Sequence, residues 1–194
     1  MSQVQHDTDS KNVLVALGSN ATSKFGDAHQ TLRGALDRLL AHFPDLVVSR
    51  HYKTPAFPEG SGPEFVNAAC GFYSDMNPDA ILELLHGVEA EFGRKRTRRW
   101  GQRTLDLDLI ACGQAVRPDL DSFLHWVNLA PEAQQADAPD RLILPHPRLQ
   151  DRPFVLVPLA DIAPNWRHPV TGQTVVQMRD AHPASALRDV QPLK

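Results

Sequence analysis

The sequence predicts an α+β fold: an antiparallel sheet with helices packed on it, laid out as β-α-β-β-α-β through residue 111 and followed by C-terminal additions. Two patterns carry this. Short runs rich in β-branched and aromatic residues alternate with two stretches whose apolar residues recur three and four apart, the spacings of strands and amphipathic helices. Clusters of glycine, proline and asparagine fall where such a chain must turn.

The first run, Asn12 to Leu17, is apolar and reads as a buried strand, with Gly18-Ser19-Asn20 turning out of it. Ala28, Leu32, Ala35, Leu36, Leu39, Leu40 and Phe43 then repeat at helical spacing, so a helix is expected from about Thr22 or Ser23 to just before Pro44. A second strand is expected from Leu46 to Lys53. Thr54 to Pro63 sets three prolines and two glycines around Phe57, the composition of a loop that shapes a pocket. Glu64 to Tyr73 is the third strand, with Phe65, Asn67 and Ala69 on one face and Val66, Ala68 and Cys70 on the other.

Asn77-Pro78 opens the second helix with a capping residue and a proline at the first position. Ile81, Leu82, Leu84, Leu85, Val88 and Phe92 form its apolar stripe, and Gly93 ends it. Glu89 and Glu91 lie at the negative end of that helix, which calls for a cationic partner. The fourth strand starts near Leu105. Beyond Gly113, residues 116–140 read as an inserted, partly helical excursion. Arg141 to Pro147 is extended, and Phe154 to Ile162 is helical with its start limited by Pro158. A turn around Gly172 and a short helix over Thr174 to Ala181 follow. Through residue 111 the arrangement is ferredoxin-like, with the two helices of that core expected on one face of the sheet.

A chain of 194 residues fits one domain, here 12–194, after a disordered tail at 1–11. The net charge of −3 and a pI near 6.3 argue against a nucleic-acid or acidic-membrane binder. Two cysteines make neither a disulfide framework nor a zinc site. A polar N-terminus and the lack of a long apolar run predict a cytoplasmic protein.

Chemistry concentrates in residues 94–110, R-K-R-T-R-R-W-G-Q-R-T-L-D-L-D-L-I. Alternation puts Asp106 and Asp108 on one strand face and Leu105, Leu107 and Leu109 on the other. The two carboxylates leave the backbone about 6.6 Å apart, close enough to share a cation or to bridge two. Mg²⁺ is held by one or two carboxylates plus substrate phosphates. Arg94, Lys95, Arg96, Arg98, Arg99 and Arg103 supply fixed positive charge and bidentate donors for phosphate. Carboxylates for metal beside arginines for phosphate is the layout of phosphoryl transfer. A basic run alone is usually a solvated loop, but aspartates are disfavoured in a strand, and two together cost stability unless a ligand offsets their repulsion.

No glycine-rich nucleotide loop of the G-x-x-x-x-G-K-[ST] type, no H-R-D stretch and no nucleophile elbow occurs. R-W-G-Q-R-T-L-D-L-D-L-I at 99–110 closely resembles the signature of the 6-hydroxymethyl-7,8-dihydropterin pyrophosphokinase family. L-G-S-N at 17–20, Y-K-T-P-A-F at 52–57, F-V-N-A-A at 65–69, E-F-G-R at 91–94, L-P-H-P-R at 144–148 and R-P-F-V-L-V-P-L-A-D-I-A-P at 152–164 are similar to the family too, in its order.

The resemblance implies transfer of diphosphate from ATP to the hydroxymethyl group of the pterin, with release of AMP, in folate biosynthesis. It implies two Mg²⁺ ions on Asp106 and Asp108, and Arg94, Arg96 and Arg103 on the phosphates with Trp100 in a loop that closes over them. Glu89, Arg141, His146 and Arg152 match the nucleotide side. Phe65 and Phe154 match the aromatics that sandwich the pterin, Asn67 its hydrogen-bonding partner, and Thr54, Pro55 and Phe57 the pocket wall. His86 stands where relatives often carry an uncharged polar residue, and the length leaves no room for a fused second folate enzyme. ATP and the hydroxymethyl dihydropterin are the expected partners of a monomer that binds neither nucleic acid nor membrane.

Two rivals are weaker on the residues. An RNA-binding module of the same topology needs exposed aromatics on its central strands, where this chain offers aspartates that repel phosphate. A nucleotidyltransferase built on Gly18-Ser19 and the aspartates would keep those motifs close in sequence, and here they are far apart.

Overall fold

The computed structural model describes residues 11–56, 62–93, 104–130, 133 and 138–193. The core elements are β1 (Lys11–Ser19), α1 (Ala28–His42), β2 (Val47–Val48), β3 (Tyr52–Thr54), β4 (Phe65–Ser74), α2 (Pro78–Glu91) and β5 (Asp106–Cys112). They are followed by α3 (Leu120–Asn128), a 3₁₀ turn (Leu149–Asp151), α4 (Pro153–Ile162), α5 (Val175–Asp180), α6 (Ala184–Arg188) and β6 (Gln191–Pro192). The sheet order is β5-β1-β4-β3-β6, with β2 also on β4, and every pairing is antiparallel. Each crossover helix spans one intervening strand, which is the split βαβ expected of a ferredoxin-like core.

The two core helices lie on one face, as expected, and the C-terminal additions cover the other. Val13, Val15, Leu17, Leu107 and Leu109 form one core with Leu32, Leu36 and Leu39 of α1 and Ile81, Leu85 and Val88 of α2. On the other face Leu14, Ala16, Ala69 and Ile110 meet Val155, Leu156 and Leu159 of α4, with Val175 and Met178 of α5. A strand whose faces are both apolar needs two covers, and β1 reads V-L-V-A-L throughout. The β1–β5 register shifts between Leu14 and Val15, leaving Ile110 as the extra residue, so that the adjacent Ile110 and Ala111 both face the second core.

Several boundaries differ from the periodicity. β1 begins at Lys11 and runs through Ser19, where a tail and a turn were expected. α1 starts later, because Asp27 and Gln30 form a reciprocal capping box, and Leu40 lies on its exposed side. The second strand is broken, since Ser49 Oγ accepts the Ala69 N–H and one extra residue enters between β2 and β3. Asn77 caps α2 as expected, and the C-terminal Glu91 finds its cation in Arg38 at 3.2 Å. Pro158 does not delimit α4. The helix starts at Pro153 and runs through it, forgoing the one bond that its missing N–H would give the Phe154 carbonyl.

Candidate active site

The strand registers define the site. Asp106 pairs with Gly18, Gly18 with Asn67, and Asn67 with Tyr52, which gives one row across four strands. The neighbouring row runs Asp108, Ala16, Ala69. Paired residues point to the same side, so both aspartates and Asn67 lie on the face covered by α4. Small residues between them keep the face open: a Cβ on Gly18 would already meet Asn67 Oδ1 at 3.4 Å.

Core packing and two backbone hydrogen bonds hold the strand that carries the aspartates. Leu105, Leu107 and Leu109 are buried in the core on the opposite face. Ser19 Oγ donates to the Thr104 carbonyl at 2.6 Å. Glu89 is 2 % exposed and accepts the Leu107 N–H at 2.8 Å, so it braces β5 between the two aspartates.

Asp106 and Asp108 are partly buried, and Arg152 Nη1 donates to Asp108 Oδ2 at 3.0 Å. The Arg152 guanidinium also lies 5.9 Å from the centroid of the Phe154 ring. His146 sits just upstream, its backbone N–H donating to the Ile110 carbonyl and its Nδ1 accepting the Arg148 N–H at 3.0 Å. Desolvation first, and then the charge of Arg152, push its imidazole well below the ordinary 6.5, against the opposing pull of Asp106. The neutral ring therefore carries its hydrogen on Nε2.

On the other flank Asn67 is 5 % exposed and donates from Nδ2 to Thr54 Oγ1 at 2.9 Å. Phe65 pairs with Thr54 and is partly exposed, Pro55 is exposed, and Phe154 is 39 % exposed at the start of α4. A large apolar ring left that open is available to a ligand.

The structure thus brings Asp106, Asp108, Asn67, Thr54, Phe65, His146, Arg152 and Phe154 to one side of the sheet. Arg141 is exposed and paired with its neighbour Asp140 at 3.3 Å. Phe57, Arg94, Arg96, Trp100 and Arg103 lie outside the described residues.

Two supporting groups escaped the sequence reading. Asp161 on α4 accepts from Tyr52 Oη at 2.8 Å, from Arg50 Nη2 at 2.6 Å and from the Arg50 backbone, so it fastens α4 to the strand carrying Thr54. Burial alone would raise the Asp161 carboxyl, but the hydrogen bonds from Arg50 and Tyr52 outweigh it and hold the group below its usual range. Arg148 reaches the Trp126 carbonyl. Their partners are 111 and 22 residues away, so no local pattern announces either contact.

A half-exposed carboxylate pair with an arginine, beside an amide and two aromatics, defines a transferase that handles phosphate groups and a flat heterocycle. The family model described as 7,8-dihydro-6-hydroxymethylpterin-pyrophosphokinase matches residues 14–164, and the chain belongs to that family. A relative from Synechocystis sp., a 2-amino-4-hydroxy-6-hydroxymethyldihydropteridine pyrophosphokinase, is 35% identical over 181 residues, covering 92% of this chain and 80% of its own. A relative of the same name from Methylorubrum extorquens is 36% identical over 163 residues, covering 83% and 87%. In fold, the chain is similar to the crystal structure of wild-type Plasmodium falciparum HPPK-DHPS, with a TM-score of 0.57 at 13% identity. That match covers 88% of this chain and 44% of that one, so the chain spans under half the length of the solved structure.

Proposed function

We propose that the α4-covered face of the sheet is where this chain moves diphosphate from ATP to the hydroxymethyl group of 6-hydroxymethyl-7,8-dihydropterin, releasing AMP. Family membership makes the chain an ATP-dependent diphosphokinase of folate biosynthesis. The observation that carries the site is the row Asp106–Gly18–Asn67. Adjacent strands lie about 4.8 Å apart, so the two side chains flank glycine across about 10 Å. A pterin held at Asn67 brings its hydroxyl within reach of a phosphate held at Asp106.

The donor set fits magnesium. Two carboxylates on one strand face, with small residues opposite, suit a hard ion that takes its remaining ligands from phosphate and water. Asp106 and Asp108 would hold it, as two ions in our reading, and it would neutralise and orient the triphosphate. Arg152 and the Nε2–H of His146 bind phosphate oxygens, and the arginines of 94–103, expected from the sequence to meet the phosphates, add charge. Glu89 acts from behind, by fixing the Leu107 backbone. Phe65 and Phe154 stack on the pterin, while Asn67, held by Thr54, fixes its edge. Catalysis rests on positioning and charge neutralisation, with no strong general base required.

Among the described residues no helix is long and apolar enough to cross a membrane. Two free, buried cysteines fit a reducing cytoplasm, and β6 closes the outer edge of β3, which fits a monomer.

Calorimetric titration tests the site. Asn67→Leu should weaken pterin binding by about 5- to 100-fold, the cost of leaving a ligand's polar edge unpaired, with Mg²⁺–ATP binding unchanged. Unaltered pterin affinity in that variant overturns the assignment.

A further inference from the structure

The segment 116–130 grips the loop 144–152 at two points. Where the segment begins, Arg117 and Leu144 exchange backbone hydrogen bonds at 2.9 and 3.1 Å, and Arg117 Nη2 reaches Asp79 Oδ2 in the first turn of α2 at 2.9 Å. Where it ends, Arg148 Nη2 donates to the Trp126 carbonyl at 3.2 Å. That carbonyl is one of the last four of α3, which have no partner inside the helix, and a guanidinium there also suits the negative end of the dipole. Between the two grips sits His146. The backbone N–H of the same Arg148 donates to its Nδ1, and Arg148 Nη1 lies 3.5 Å from Asp151, next to Arg152. α3 is itself anchored by Phe123, 2 % exposed, whose ring centroid lies 5.6 Å from that of His168. One side chain therefore caps α3 while its backbone orients His146.

We propose that the segment carrying α3 is a splint that sets the loop 144–152 for ATP, and that Arg148 is its positioning residue. This rests on reading His146 and Arg152 as the nucleotide side. Without the cap, α3 and the loop separate, His146 and Arg152 lose their fixed geometry, and ATP has to order them on binding.

The test is steady-state kinetics on full-length Arg148→Met, Arg148→Lys and His146→Ala, with KM measured for both substrates. Arg148→Met should raise the KM for ATP about tenfold and leave the pterin KM within about twofold, on the scale of losing a hydrogen bond from a charged donor. Lysine can still donate to the Trp126 carbonyl, so Arg148→Lys should recover most of the loss. A KM for ATP unchanged in Arg148→Met, or raised equally with that for pterin, overturns the proposal. His146→Ala separates the two readings: if it raises the KM for ATP while Arg148→Met does not, the splint fails and the nucleotide-side assignment survives. If neither variant moves that KM, the assignment fails too. Should Arg148→Met not fold, Phe123→Leu loosens α3 at its other anchor and is scored the same way.

Discussion

Arg152 donates from Nη1 to Asp108 Oδ2 at 3.0 Å, across 44 residues of sequence, with both side chains about a third exposed. The pair joins the loop that precedes α4 to the aspartate strand. An ion pair this open adds little stability of its own, about 0–1 kcal/mol, so its value lies in placing two groups that a triphosphate and its metal will share.

Arg152→Met should therefore leave the melting temperature nearly unchanged and raise the KM for ATP by about 10- to 100-fold, the cost of a lost hydrogen bond to a charged group. In a double-mutant cycle with Asp108→Asn, the losses in kcat/KM should fall short of additivity by about 0.5–3 kcal/mol, because the residues touch. Strict additivity would show that they act on unrelated steps.

Phe65→Ala and Phe154→Ala should each weaken pterin binding by about 1–3 kcal/mol, the range for stacking of a base on an aromatic side chain, with ATP binding within about twofold of wild type. Equal losses for both ligands, or a cooperative fall in melting temperature, would make these rings packing residues.

His146 gives a pH dependence of stability whose sign follows from its depressed pKa. The folded ring stays neutral below the ordinary 6.5, whereas the unfolded ring protonates there. The unfolded state then binds more protons, so stability is complete above about pH 6.5 and is lost as pH falls toward the folded value. His51 and His168 are shifted in the same direction, both mainly by burial, so the signal is a difference between proteins. In urea melts from pH 7.5 to 5, His146→Asn should lose less stability than wild type. Parallel curves would contradict this.

Much of the fold was legible because local chemistry and tertiary demand agree in it. The Asn77-Pro78 start of α2, the Leu-Asp alternation of β5 and the apolar run of β1 each say locally what the fold requires. What escaped was either a choice between rival local signals or a matter of distant partners. Asp27 gains its cap only from Gln30, three residues on, while Thr22 and Ser23 look like better starts. Pro158 reads as a helix boundary, yet burial of Val155, Leu156 and Leu159 against the sheet carries α4 through it. The need for a second cover was visible in β1, apolar on both faces, but which elements supply it, α4 and α5, follows from contacts distant in sequence. At the site, Asp106, Asp108 and Asn67 could be placed on strand faces, but only the registers reveal that Asp106 and Asn67 flank the same glycine, with Asp108 in the next row opposite Ala16.

The basic run 94–103 contributes a prediction from its composition. Arg103→Ala should lower kcat more than it weakens ATP binding if its contact belongs to the reacting state. With Trp126 and Trp166 replaced by Phe, Trp100 fluorescence should change only when ATP–Mg²⁺ and pterin are both present. A full kcat with an unresponsive Trp100 would reduce the run to a solvated surface.

The most direct measurement is the product of the reaction. Purified protein given ATP, Mg²⁺ and 6-hydroxymethyl-7,8-dihydropterin should release AMP in step with a diphosphorylated pterin. Asp106→Asn and Asp108→Asn should each cut that rate by at least about 100-fold, as loss of transition-state charge stabilisation does, with no loss of melting temperature because the substitution relieves carboxylate repulsion. Release of pyrophosphate in place of AMP, or near-normal turnover in both aspartate variants, would contradict the account.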